Sequence, residues 1–135
     1  MGAHEPIPRE VEDLATQIVD AALEVHRELG SGLLESIYEV CLCHELSLRG
    51  VRFKRQADFP VHYRGLRLDA GLRIDLLVDD SIVVEIKTVE SLLPLFEAQL
   101  LTYLKLANKR LGFLINFNVP LLKSGSKRLV RSLAE

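Results

Sequence analysis

Tryptophan is missing from this 135-residue chain, and only three tyrosines and five phenylalanines stand in for it. A platform of stacked rings for single-stranded nucleic acid is therefore not evident. Cysteine is nearly absent too. Cys41 and Cys43 are too few for a four-thiolate cluster or zinc site. At i, i+2 on a helix they point to different sides, which disfavours a local bridge, and they read as buried or half-buried thiols of a reducing cytoplasm. No apolar run approaches the ~18 residues that a membrane span needs. The opening "MGAHEPIPRE" has no apolar core, so no secretion signal and a cytoplasmic location are expected. There is no glycine-rich phosphate loop, no serine or cysteine nucleophile arrangement, and no repeat, low-complexity segment or linker.

What is present fits one domain with one core: 48% of residues are apolar and 27% charged. The net charge of −2 is unevenly spread. Residues 1–50 carry ten acids against three bases, and residues 101–135 carry seven bases against one acid, Glu135. A basic C-terminal edge is compatible with a polyanionic partner, and a solvated helix face explains it as well.

Hydrophobic periodicity gives the order of elements. Residues 10–29 repeat Leu14, Ile18, Ala22, Val25 and Leu29 at helical steps, and "GSG" at 30–32 ends that helix. A second helix follows at once, with Ser31 as N-cap, a stripe of Leu34, Ile37, Cys41 and Leu48 widened by Leu42 and Leu46, and Gly50 as its stop. From residue 51 the period becomes two, with turn signals at Gly65, Gly71 and "DDS", which predicts an antiparallel meander. The helical period returns over 91–112, where Pro94 suits a first turn and Phe96, Leu100, Tyr103 and Leu104 share a face. "FLINFNV" reads as a buried strand, and the tail has a turn at Ser124–Ser126 with room for a last short strand. The predicted order is α-α-β-β-β-α-β, a compact α/β domain.

The hairpin that turns at "VDDSI" carries the chemistry on its two flanking strands. Centring its turn on Asp80 opposes Val78 with Ile82, Leu77 with Val83, Leu76 with Val84, and Asp75 with Glu85. Directly opposed side chains on one face lie about 5 Å apart at Cβ. Two carboxylates so placed repel unless a proton or a cation sits between them, and an oxygen-rich pair suits a hard divalent ion such as Mg²⁺ or Mn²⁺. Lys87 shares that face two residues on, where an ammonium can hold a water or stabilise charge on a phosphate. A surface hairpin with a Glu–Lys pair is the plainer reading by spacing alone. The flanking "IDLLV" and "SIVVEI" are apolar on both faces, as in a central strand buried on both sides, and charges on such a strand need a reason.

These segments resemble a known family. "GLLESIY" at 32–38 matches a Gly-x-x-Glu-x-x-Tyr signature through Gly32, Glu35 and Tyr38, and "RIDLLVDDSIVVEIK", "QLLTYLK" and "LGFLINF" follow in order. The chain is similar to the GxxExxY family, grouped with the PD-(D/E)XK nuclease-like superfamily near its RecB-type and lambda-type exonuclease branch. The resemblance spans roughly residues 10–132, and "ID" stands at 74–75 where the superfamily pattern has "PD". It implies a restriction-endonuclease-like core, a central mixed sheet flanked by helices, in one domain over 10–132 after an N-terminal tail over 1–9. It implies that Asp75, Glu85 and Glu35 are metal-ligating carboxylates and that Lys87 is the lysine of the E-x-K element. Gln99 and Tyr103 in "QLLTY" then correspond to the Gln-x-x-x-Tyr element of the exonuclease branch.

The function expected on this basis is Mg²⁺- or Mn²⁺-assisted hydrolysis of phosphodiester bonds in nucleic acid, with DNA favoured over RNA. The competing class is a non-catalytic module of the same fold that binds nucleic acid or protein. A 135-residue nuclease has little room for a substrate clamp, so a homodimer or protein partner would help. His26 is a candidate metal neighbour, although a lone helical histidine is more often a structural or capping group. Tyr38 suits a bond across the site or a place in the core equally well. Gly32 is assigned to the turn between the helices.

Overall fold

The structure, a computed structural model, describes residues 5–132. The first four residues of the expected tail and Glu135 lie outside the described residues. The elements are α1 (Arg9–Leu29), α2 (Glu35–Leu48), β1 (Phe53–Tyr63), β2 (Leu66–Val78), β3 (Ile82–Lys87), α3 (Pro94–Leu106), β4 (Leu111–Asn116), α4 (Leu122–Gly125) and β5 (Ser126–Val130). The strands form one sheet in the order β1-β2-β3-β4-β5. β3 and β4 run parallel and every other neighbouring pair is antiparallel, so the sheet is mixed. A parallel pair needs a crossover, and α3 supplies it. The expected turn at 124–126 is a single helical turn, α4, and the last strand is β5.

Two apolar layers sandwich the sheet. On one face α1 and α2 bury Ile18, Ala22, Tyr38, Leu42 and Leu46 against Leu76, Val78, Val84 and Ile86. On the other, α3 sets Leu100 and Leu104 on Ile74, Leu77, Val83 and Leu114. β3 and β4 are buried along nearly their whole length, as expected of central strands covered on both sides.

Three local expectations are corrected. The buried side of α2 is Tyr38, Glu39, Leu42, Cys43 and Leu46, whereas Leu34 (70%) and Leu48 (69%) are exposed, as are Ile37 and Val40. The helix is apolar on several sides, so periodicity alone did not select the buried face. Ser31 does not cap it: the N-cap is Leu34, with no side-chain bond. Gly71 is not a turn but an interior residue of β2. The β1–β2 register passes from Phe59↔Leu72 to Val61↔Leu68, which leaves three β2 residues, 69–71, facing Pro60. Proline has no N–H for the ladder, and the break falls where it stands. A Cβ on Gly71 would lie 2.5 Å from Val61 Cγ2, so packing explains this glycine.

The Gly-x-x-Glu-x-x-Tyr segment has a structural account. Gly30 and Gly32 adopt φ of +72° and +96°, a region that glycine enters without a Cβ clash. Tyr38 then closes the link between the helices: its hydroxyl donates to Gly30 O at 2.6 Å and accepts from Leu33 N–H at 3.2 Å. Its ring is fully buried and stacks on Phe117 at 4.6 Å between centroids. Of the two roles open to Tyr38, the structure shows the core role. The consequence is that Glu35 becomes the first residue of α2.

Candidate active site

The β2–β3 hairpin has the expected register, Leu76↔Val84, Leu77↔Val83 and Val78↔Ile82. At the next pair the backbone ladder gives way to side chains. Asp75 N–H donates to Glu85 Oε2 at 2.8 Å, and Ile86 N–H donates to Asp75 Oδ2 at 2.8 Å. Each carboxylate thus takes the backbone donor of the opposite strand, which holds the two acids face to face. These bonds use one oxygen of each acid, leaving lone pairs on the other for further partners.

The electrostatics follow from burial. Glu85 is 6% exposed, and its carboxyl is pushed up to about 8 by burial first and the Asp75 charge second, against the opposing pull of the Asp75 N–H and Lys87. Asp75 is raised by burial, with Ile86 N–H the main opposing effect. Glu35, exposed at the start of α2, is raised by partial burial and then by Asp75, while Lys87 lowers it. Tyr103 is raised by burial and then by Glu85 and Asp75, which places its hydroxyl in the field of the pair. Lys87 lies with its Nζ 4.7 Å from the Phe96 centroid, a cation–π contact.

The structure therefore opposes Asp75 and Glu85, sets Lys87 on the same strand, and puts Glu35 and Tyr103 within electrostatic reach. Gln99 is half-buried on α3 one turn before Tyr103, and no hydrogen bond joins it to the acids among the described residues. Among those residues, no three His, Cys, Asp or Glu side chains are grouped closely enough to hold a metal ion. Glu35 is thus a neighbour of the acid pair and not a third member of a closed cluster. The donor set nonetheless suits a hard divalent cation: two opposed carboxylates, a third carboxylate nearby, and a proton held near neutrality that a cation would displace.

His26 has a structural partner. Its Nε2–H donates to Val119 O at 2.8 Å, and its ring sits 6.4 Å from Phe117, so it braces α1 against the segment after β4. Asn116, fully buried, accepts from Val89 and Asn118 N–H and donates to Val89 O, which ties down the chain leaving β3.

Two residues beside the site escaped the sequence reading. Glu39, one turn after Glu35, is 4% exposed. It accepts from Arg55 Nε and, at 2.9 and 3.0 Å, from Gln56 Nε2. Gln56 has a φ of +53° inside β1, an uncommon conformation for a residue with a Cβ. A signal for Glu39 existed in its i, i+4 spacing from Glu35, whereas nothing in "KRQ" announces a left-handed glutamine.

The profile of the PD-(D/E)XK nuclease superfamily matches residues 12–129. No curated protein matches the chain. Among solved structures, the crystal structure of SSO0001 is similar in fold, with a TM-score of 0.56 and 20% identity over 92% of this chain. The chain spans 61% of the length of that protein. The mixed five-stranded sheet between helices is a restriction-endonuclease-like core. The superfamily match runs through both helices before the hairpin, the hairpin itself and the crossover to β5, and the chain belongs to the PD-(D/E)XK nuclease superfamily.

Proposed function

We propose that this chain is a Mg²⁺- or Mn²⁺-dependent nuclease that hydrolyses phosphodiester bonds, with DNA favoured over RNA. The observation that carries the reading is the opposed Asp75–Glu85 pair with Lys87 two residues on. Asp75 and Glu85 would hold the cation, with Glu35 supporting it directly or through water. A divalent cation held there would supply a water of lowered pKa and polarise the scissile phosphate. Lys87 orients the attacking water and offsets charge that develops on the phosphoryl oxygens. Gln99 and Tyr103, one helical turn apart on α3, order a water or a backbone phosphate. No covalent enzyme intermediate is required.

The Gly32–Glu35–Tyr38 signature supports placement in the GxxExxY family, and the Gln99–Tyr103 pair supports the RecB-type and lambda-type exonuclease branch. The reading takes residues 10–132 as one nuclease-like domain acting in the cytoplasm. Among the described residues no helix is long and apolar enough to cross a membrane. The test is cleavage of single- and double-stranded DNA and of RNA with and without Mg²⁺ or Mn²⁺. Asp75→Ala and Lys87→Ala should each abolish metal-dependent cleavage in a folded protein, and undiminished cleavage by either would overturn the assignment.

A second reading, a non-catalytic module binding nucleic acid or a protein, draws on the exposed Leu34 at the N-cap of α2 and Ile37, Val40 and Leu48 within it, and on the open acid arrangement among the described residues. Such an apolar stripe suits a protein partner or a second copy. Calorimetric titration with Mn²⁺ separates the readings. Binding that Asp75→Ala abolishes supports the nuclease, and no binding by the unaltered chain supports the module.

A further inference from the structure

We propose that Gln56 and Glu39 are positioning residues for the Asp75–Glu85 pair: a left-handed backbone at Gln56, locked onto Glu39, sets where the Asp75 carboxylate reaches. The inference deepens the site reading above and rests on it for its metal-binding arm only.

Successive side chains of a strand point to opposite faces. In β2, Leu76 and Val78 pack on the α1–α2 layer and Leu77 on the α3 layer. Ile74 should rejoin Leu76, yet it packs with α3. In β1, Arg55 and Gln56 both turn to Glu39 on α2, and Ala57 then faces α3. Alternation thus slips in both strands at one place. The β1–β2 register, Arg55↔Leu76 and Ala57↔Ile74, sets Gln56 across from Asp75. The slip in β1 coincides with the φ of +53° at Gln56.

That conformation needs something to hold it, because a non-glycine residue enters it at a cost. Glu39 supplies the hold: both its oxygens accept from Gln56 Nε2, and Arg55 binds the same carboxylate. On the neighbouring strand, the slip coincides with a carboxylate that reaches past Glu85 to accept the N–H of Ile86. Glu39 is also one turn from Glu35 on the same helix. One buried carboxylate therefore ties the helix that carries Glu35 to the strand position facing Asp75.

The test uses the full chain and two substitutions at exposed Gln56. Gln56→Val disfavours the left-handed backbone, and Gln56→Gly permits it without the side-chain lock. Amide hydrogen exchange is followed by NMR at Ile86, with Val84 in the same strand as the reference for general opening. Gln56→Val should raise Ile86 exchange at least tenfold relative to Val84, with Gln56→Gly between it and the unaltered chain. Mn²⁺ affinity should fall at least tenfold in Gln56→Val. Glu39→Ala should act like Gln56→Val, and Glu39→Gln, which keeps one acceptor, should restore part of the effect. Unchanged Ile86 exchange in Gln56→Val, or equal rises at Ile86 and Val84, overturns the proposal. The exchange readout needs no metal. Failure of the unaltered chain to bind Mn²⁺ therefore counts against the metal site and leaves positioning to be decided at Ile86.

Discussion

Lys87 Nζ sits 4.7 Å from the centroid of the Phe96 ring, and the two residues come from opposite ends of the segment that joins β3 to α3. The ring fixes a flexible ammonium without neutralising it, as a carboxylate partner would. A cation–π contact of this kind contributes about 0.5–2 kcal/mol. Phe96→Leu should leave the fold intact and slow metal-dependent cleavage by roughly 2- to 30-fold, the rate equivalent of that energy. Lys87→Ala should cost at least roughly a hundredfold, because it removes the charge itself. Single-turnover cleavage rates separate the two, and equal losses would show that the ring does more than hold the lysine.

The raised pKa of Glu85 makes metal-free stability depend on pH. Its carboxyl titrates at about 8 in the folded chain against an ordinary 4.5. Below about pH 4.5 both states carry the proton and the group costs nothing. Between these values the unfolded chain releases its proton first, so stability falls as pH rises, by up to about 5 kcal/mol once pH passes 8. Thermal melts without divalent cations should show this decline. Asp75→Asn removes the neighbouring charge, the second cause of the shift after burial, and should reduce the decline without abolishing it. A melting temperature that rises from pH 5 to 8 in the unaltered chain would contradict the assignment.

Divalent cations should act in the opposite sense. On the proposed reading Mn²⁺ would take the place of the proton at the acid pair, so it should raise the melting temperature more at pH 8 than at pH 5.5. Its binding near neutrality should release a proton into the buffer. Calorimetry in two buffers of different ionisation enthalpy measures that release directly. Glu85→Gln should abolish both effects.

Tyr38 yields a prediction about stability alone. Tyr38→Phe keeps the ring on Phe117 and removes the bonds to Gly30 O and Leu33 N–H. The cost should be about 1–3 kcal/mol, the usual penalty for leaving such groups unpaired. Denaturant titration measures it. If Tyr38 bonded across the site instead, Mn²⁺ affinity would fall out of proportion to stability.

Gly71 offers a paired test of the β1–β2 break. Gly71→Ala should destabilise by about 1–3 kcal/mol through the clash with Val61. Val61→Ala in the same chain should recover part of that loss, which a double-mutant cycle would show as coupling.

The hairpin register was legible because "VDDSI" places its turn at Asp80, so the opposition of Asp75 and Glu85 could be counted outward from it. The buried face of α1 was legible at its centre, where Ile18, Ala22 and Val25 recur at helical steps, although Leu29 of the same stripe is exposed. α2 was not. Leucine, isoleucine, valine and cysteine surround it, and the choice of face rests on Tyr38 and on Glu39, a buried acid that no hydrophobic count includes. Gly71 was read as a turn because glycine serves both turns and close packing, and only a tertiary neighbour, Val61, distinguishes them. The left-handed glutamine at 56 was invisible for a related reason: its cause lies seventeen residues away on another element.

Strand order in this sheet repeats strand order in the chain, and β3 gains its second neighbour only when β4 arrives beyond α3. Until then β3 has a bare edge, and the position on β4 that comes to lie beside Glu85, Leu114, is not yet in place. Burial is the first cause of the raised Glu85 pKa, so covering β3 from its second side links the chemistry of the acid pair to the crossover that α3 provides.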